Sequence, residues 1–165
     1  FCASVALTVD GERVAGAVYD CVKEELFTAE RGVGAFVNGR RLRTSSAAEL
    51  INSLLITGFP YDLHDDPAHA LRLFNSFIPH ARAIRRDGAA ALDLCYVAAG
   101  RVDGFFEERL NPWDMMAGAL MVEEAGGRVT RFDGSAVGLR ADQVVAAGAA
   151  LHPRMLDVLR GPCGD

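Results

Sequence analysis

Two acidic residues, Glu107 and Asp114, have the chemistry and the spacing to form one acidic site that could bind a metal ion. Residues 102–107 have a strand pattern, and Asn111 followed by Pro112 predicts a helix start with Asp114 in the first turn. A strand end and the next helix start meet at one edge of an α/β sheet, so both carboxylates can face one cleft. A carboxylate fixed there suits a hard cation such as Mg²⁺. The alternatives are helix capping by Asp114 and a solvated Glu107 paired with a polar neighbour.

A third candidate is the turn from Asp87 through Gly88, Ala89 and Ala90 into an Ala-rich helix. Free backbone N–H groups at a helix start can bind an anion or hydroxyl groups, and small side chains let a ligand come close. A tightly packed helix of small residues explains the same composition, so both interpretations stay open. The sequence contains no glycine-rich dinucleotide motif and no P-loop lysine, and a nucleotide-binding fold therefore has no support.

A polar segment at 64–66 precedes a stretch of helical spacing at 67–78. Its His and Asp residues, together with His69, have the composition of a metal cluster. A solvated loop in which Asp66 caps the following helix explains the pattern better, because Asp accepts hydrogen bonds from first-turn N–H groups. The apolar positions predicted to share one face of that helix are Leu71, Phe74 and Ile78.

The elements that carry these residues change in character along the chain. Residues 1–44 alternate as strands do and contain the turn pairs Asp10-Gly11 and Asn38-Gly39, which predicts a β-meander. Residues 45–165 alternate strands with helices, which predicts a second, α/β domain around a mostly buried sheet. Because no helix covers the apolar face of the front piece, we expect it to be the remnant of an N-terminally truncated αβ domain.

The composition is that of an ordinary globular protein, with 165 residues, 50% of them hydrophobic, and a formal net charge of −5. Without a run of Lys or Arg, this charge argues against nucleic acid or an anionic membrane as a partner. No apolar stretch reaches the ~18–20 residues that span a bilayer. Cysteines at 2, 21, 95 and 163 form no short pair, which predicts reduced, buried thiols of a cytoplasmic protein. The residues predicted to be core in the last long helix are Trp113, Met116, Leu120 and Met121.

Two segments, 111–118 and 123–127, read Asn-Pro-Trp-Asp-Met-Met-Ala-Gly and Glu-Glu-Ala-Gly-Gly. They resemble the C-terminal signature of the inositol monophosphatase family. Earlier segments similar to that family, in the same order, are 1–7, 14–19, 25–29, 34–39 and 57–61. The resemblance covers essentially the whole chain and implies a layered αβαβα phosphatase that hydrolyses small phosphate monoesters with Mg²⁺ and forms a homodimer.

The resemblance also implies a role for each candidate residue. Asp114 matches the metal-binding aspartate of the motif, and Glu107 matches the acid that hydrogen-bonds a substrate hydroxyl. Gly88, Ala89 and Ala90 match the backbone turn that lines the substrate pocket. The leading substrate is myo-inositol 1-phosphate, while histidinol phosphate, a sugar bisphosphate and a 3′-phosphonucleotide stay open as alternatives.

The sequence departs from the family in one major respect. The family's first signature, Asp-Pro-(apolar)-Asp-Gly-Thr, supplies most of the metal ligands, and none of the four Asp-Gly pairs in this chain precedes Thr. One carboxylate is too few for a Mg²⁺ site, which needs several oxygen ligands. We therefore expect residues 1–165 alone to be inactive. The alternative from another class of protein is a catalytically incomplete module that only binds or dimerises.

Overall fold

The computed structural model describes residues 1–60 and 63–161, and the first of its two sheets is a simple meander. Its five strands are antiparallel and neighbour one another in chain order. They are β1 (Cys2–Val9), β2 (Glu12–Asp20), β3 (Glu25–Glu30), β4 (Gly34–Val37) and β5 (Arg40–Arg41). At the β4–β5 turn both Asn38 (φ 47°) and Gly39 (φ 77°) have positive φ, which confirms the hairpin predicted there.

The second sheet is mixed and has the strand order β7-β6-β8-β10-β9. Its strands are β6 (Leu54–Thr57), β7 (Ala83–Arg85), β8 (Gly104–Glu108), β9 (Gly127–Thr130) and β10 (Gln143–Gly148). β6 is parallel to both β7 and β8, whereas β10 is antiparallel to β8 and β9. The helices are α1 (Pro67–Phe77), α2 (Ala90–Ala98), α3 (Pro112–Glu124) and α4 (His152–Arg160), with a short 3₁₀ turn at Leu50–Asn52.

The buried side chains form two groups, one on each face of the second sheet. Phe105 of β8 joins the larger group with α2, α3 and the first sheet, while Phe106 joins α1 and α4 in the smaller one. The layers are therefore meander, α2 and α3, second sheet, and α1 and α4. This arrangement confirms the α/β class and the mostly buried second sheet. The division into 1–44 and 45–165 stays a prediction.

Small residues let α3 pack tightly against both neighbours. A Cβ added to Gly16 of β2 would lie 3.0 Å from the Cα of Ala117, and one added to Gly118 would lie 2.5 Å from the Cβ of Leu94 in α2. Neither contact leaves room for a methyl group, so the backbones of β2, α3 and α2 approach closely. This packing fixes where α2 and α3 begin.

Several predicted positions of apolar and sulfur-bearing side chains are wrong. Trp113 is 67% exposed, because it lies in the first turn of α3 beyond the stripe that faces the sheets, whereas the three other predicted core residues of this helix are buried. Leu71 and Ile78 of the predicted α1 face are exposed, and the buried residues are Ala70 and Phe77.

The cysteines are free but not uniformly buried: Cys95 is buried, Cys2 half-buried and Cys21 exposed, while Cys163 lies outside the described residues.

The first sheet exposes apolar side chains on the face turned away from α3. Val5, Leu7 and Val9 of β1 are all exposed, and they alternate along the strand with residues turned toward the helices. In the ranges described, no helix covers this face. Nor does any helix there have the length and the apolar character to cross a membrane.

His152, at the start of α4, makes the stability of the fold sensitive to acid. It is 2% exposed, its Nε2 lies 3.0 Å from the Oγ1 of Thr130, and burial beside Arg128 and Arg160 lowers its pKa to about 4. Because the folded pKa lies below the ordinary value of 6.5, the stabilisation is present above pH 6.5. It is lost as the pH falls toward 4.

We expect His152→Gln, which keeps a polar partner for Thr130 but does not titrate, to remove this acid sensitivity. Between pH 7 and pH 4 the free energy of unfolding should fall by about 3 kcal/mol more in the parent than in the variant. Urea unfolding at each pH measures the difference. Parallel pH profiles for the two proteins would contradict the prediction.

Candidate functional site

A cavity of about 120 Å³ opens where β8 ends and where α2 and α3 begin. Its lining includes every residue singled out from the sequence: Gly88, Ala89, Ala90, Glu107 and Asp114. The lining also includes Gly58, Phe59 and Pro60, from the family-like segment 57–61, and three residues that the sequence did not indicate: Arg86, Arg109 and Leu110. The expected meeting of a strand end with the next helix start is therefore confirmed as geometry, and the start of α2 lies at the same cavity. The role of each residue stays a prediction.

Asp114 caps α3 and lines the cavity at the same time. Its Oδ2 accepts a hydrogen bond of 2.9 Å from the backbone N of Asn111, the N-cap residue. The capping interpretation is therefore correct, but it does not exclude the metal-binding one, since this bond engages only one of the two carboxylate oxygens. Capping instead fixes the carboxylate in orientation, as a metal ligand requires.

Glu107 is 8% exposed, which excludes a solvated loop position. Its carboxylate lies against the backbone of Gly58, where a Cβ would be only 2.1 Å from Oε1. Burial and the nearby Asp114 raise the pKa of Glu107 to about 7, against the opposing effect of Arg86. A cation beside these two carboxylates would favour their charged forms and lower that pKa.

The start of α2 offers backbone groups rather than side chains to the cavity. Gly88 has a φ of 87°, a left-handed conformation that glycine adopts without strain, and it leads the chain into the helix. Ala89 is the N-cap residue and has no side-chain oxygen for capping. The N–H groups of Ala90 and Ala91 are therefore left for water or a ligand, whereas that of Leu92 donates to the carbonyl of Ala89.

Asp93, in α2, is a buried acid that the sequence reasoning missed. It is 1% exposed, and neither of its carboxylate oxygens has a hydrogen-bond partner in the part of the chain that the structure describes. Burial, Glu107 and Asp87 together raise its pKa to about 8, so that Asp93 is mostly protonated at neutral pH. One signal in the sequence was available, since Asp93 interrupts an otherwise apolar helix between Leu92 and Leu94.

Asp114 has the hard oxygen ligand that Mg²⁺ prefers, and the nearby carboxylate of Glu107 adds negative charge that favours a neighbouring cation. Over residues 1–60 and 63–161, however, no group of three or more His, Cys, Asp or Glu side chains is arranged to hold a metal ion. The carboxylates near the cavity therefore fit part of a metal site, and further oxygen ligands are needed to complete it.

Solved structures share this fold over nearly the whole chain. An inositol monophosphatase from Anabaena (Nostoc) superposes with a TM-score of 0.92 at 38% identity, covering 96% of this chain and 63% of its own. The extragenic suppressor protein SuhB of Bartonella henselae gives a TM-score of 0.90 at 42% identity, covering 98% and 63%. The fold is therefore that of these two structures.

The chain belongs to the inositol monophosphatase family, whose model matches residues 1–161. Among similar proteins is the Nus factor SuhB of Haemophilus influenzae, which is 44% identical over 163 residues, 99% of this chain and 61% of that protein. The Nus factor SuhB of Escherichia coli is 42% identical over 165 residues, 100% of this chain and 62% of that protein. The chain thus spans about three fifths of the length of these relatives.

We predict that Gly58→Ala destabilises the protein by about 1–3 kcal/mol, because the new methyl group collides with the carboxylate of Glu107. Gly138→Ala is the matched control, since a Cβ there meets no atom within 4 Å. Urea unfolding measures both variants.

The same substitution in a Glu107→Ala background gives a sharper test. With the carboxylate removed, Gly58→Ala should lower the free energy of unfolding much less than it does in the parent. This non-additivity would identify the contact with Glu107 as the cause. An equal cost of Gly58→Ala in both backgrounds would show that Glu107 does not lie against Gly58.

Proposed function

We propose that this chain forms the substrate-binding region and part of the metal site of a Mg²⁺-dependent phosphatase. Its substrates are phosphate monoesters of small polyols, with inositol 1-phosphate the leading candidate. The observation that carries the proposal is the meeting of Glu107 and Asp114 in one cavity at the start of α2 and α3. Membership of the inositol monophosphatase family, whose members are generally Mg²⁺-dependent, supports it.

Asp114 would hold the metal ion through the carboxylate that its helix cap already orients. When bound, Mg²⁺ lowers the pKa of a water nucleophile and stabilises negative charge on the phosphoryl and leaving-group oxygens. Glu107, ionised beside that charge, would accept a hydrogen bond from a hydroxyl of the polyol. A substrate without that hydroxyl would leave a buried acceptor unpaired, which is how Glu107 would discriminate between substrates.

The turn at Gly88, Ala89 and Ala90 would bind the polyol through backbone N–H groups. The alanines leave room beside the ligand, so histidinol phosphate, a sugar bisphosphate or a 3′-phosphonucleotide are alternative substrates of the same site.

We further propose a homodimer, on the strength of the family resemblance, and a cytoplasmic protein, on the strength of the free thiols of Cys2, Cys21 and Cys95.

Activity is proposed for a longer protein of the relatives' length rather than for residues 1–165 alone. The relatives are longer, and the residues described here do not gather a complete set of metal ligands. We therefore expect the isolated chain to release no phosphate from inositol 1-phosphate at any Mg²⁺ concentration. Release at a rate near that of the longer protein would contradict this expectation.

The decisive substitution is Asp114→Asn in the longer protein. Asn keeps an oxygen for the helix cap but loses the negative charge, so phosphate release should fall by roughly a hundredfold or more. Asp157→Asn, on the exposed side of α4, is the matched control and should retain full activity. Malachite-green detection of phosphate, with and without Mg²⁺, measures both. Metal-independent release would exclude the Mg²⁺-dependent mechanism, and no release from any monoester in a panel would exclude the phosphatase.

A binding role in transcription is a second candidate, because relatives are named Nus factor SuhB. The absence of a Lys or Arg run and the net charge of −5 favour a protein partner over nucleic acid for this role. The Asp114→Asn variant separates the two functions. A binding role should survive loss of the carboxylate, whereas hydrolysis should not.

A further inference from the structure

Helix α1 is attached to the end of β8 by a contact between His69 and Glu108. The Nε2 of His69 lies 2.6 Å from the Oε1 of Glu108, whose side chain is buried. Two other nitrogen atoms of His69 also make contacts. Its Nδ1 lies 3.2 Å from Nη2 of Arg72, and its backbone N donates a hydrogen bond of 3.2 Å to Asp66, the helix cap. His69 is therefore held from three directions in the first turn of α1.

Glu108 immediately follows Glu107 on β8, and consecutive side chains of a strand point to opposite faces. Glu107 lies in the substrate cavity, while Glu108 lies in a smaller cavity under α1. Residues 58–60, which we call the site wall, line both cavities. A change in the position of the site wall therefore alters the shape of both cavities, one on each side of β8.

The site wall is also in contact with α1 itself. The ring of Phe59 lies 5.8 Å from the ring of Phe74, in the middle of the helix. Gly58, next to Phe59, is the residue against which the Glu107 carboxylate lies. The position of α1 thus sets the position of the wall that bounds the substrate cavity.

We propose that His69 is a positioning residue for the substrate-binding site. Its contact with Glu108 fixes the start of α1, and the packing of Phe74 on Phe59 carries this constraint to the site wall beside Glu107. His69 touches neither substrate nor metal. The inference rests on the proposed function, because it assigns His69 to the same polyol-binding site.

Removing the imidazole leaves the space beside the buried Glu108 carboxylate empty, so α1 should shift and admit water to Glu108. In the longer protein, His69→Ala should raise the KM for inositol 1-phosphate by about tenfold, because the wall no longer holds the polyol in place. Its kcat should stay within about twofold, since the metal ligand is untouched. His69→Gln, whose side-chain N–H can reach Glu108, should restore most of the KM.

His80→Ala is the matched control, an exposed histidine beyond the other end of α1. It should leave both kinetic constants unchanged. An unaltered KM in His69→Ala, an equal rise in His80→Ala, or no rescue by His69→Gln would overturn the inference and leave the phosphatase proposal standing.

A second measurement does not depend on catalysis. Amide hydrogen exchange of residues 54–59 should be faster in His69→Ala than in the parent and in His80→Ala, because these amides lie at the site wall and the strand before it. Unchanged exchange would overturn the inference. Faster exchange together with a complete absence of phosphatase activity would support the link between His69 and the wall while contradicting the proposed function.

Discussion

The close approach of α3 to its neighbours is the constraint on which the site depends. Gly16 and Gly118 leave no room for a side chain at the two contacts, so β2 lies against the backbone of α3, and Leu94 of α2 lies against α3 at Gly118. Since α2 and α3 begin at the rim where β8 ends, this packing brings Asp114 within reach of Glu107. A larger residue at either glycine would spread the layers and separate the proposed metal ligand from the proposed substrate ligand.

Charge at the site is arranged at the expense of stability. Burial, together with the charges of neighbouring carboxylates, raises the pKa values of Asp93 and Glu107 to about 8 and about 7. Arg86 opposes both shifts without removing them. Buried carboxylates that repel one another lower the stability of a fold, and such clusters are concentrated at functional sites. The shifted pKa values therefore indicate the same candidate site as the cavity at the starts of α2 and α3.

Local signals in the sequence predicted most of the elements and all five proposed site residues. The pair Asn111-Pro112 predicted the start of α3 and therefore the place of Asp114 in its first turn. The strand pattern before this pair predicted that Glu107 lies at a strand end. What local signals missed depends on packing between distant segments. The contact of His69 with Glu108 joins residues far apart in the chain, Gly58 matters only through Glu107, and the exposure of Trp113 reflects which side of α3 faces the sheets.

The turn at Asn38 and Gly39 has a chemical consequence as well as a conformational one. An Asn followed by Gly is prone to deamidation, in which the next backbone nitrogen attacks the side-chain amide. Here that amide accepts a hydrogen bond of 2.8 Å from Leu26 and donates one of 3.1 Å to the carbonyl of Glu24. Deamidation of Asn38 therefore requires these hydrogen bonds to break and the end of the hairpin to open. The turn between β4 and β5 thus also protects Asn38 from slow conversion to aspartate or isoaspartate.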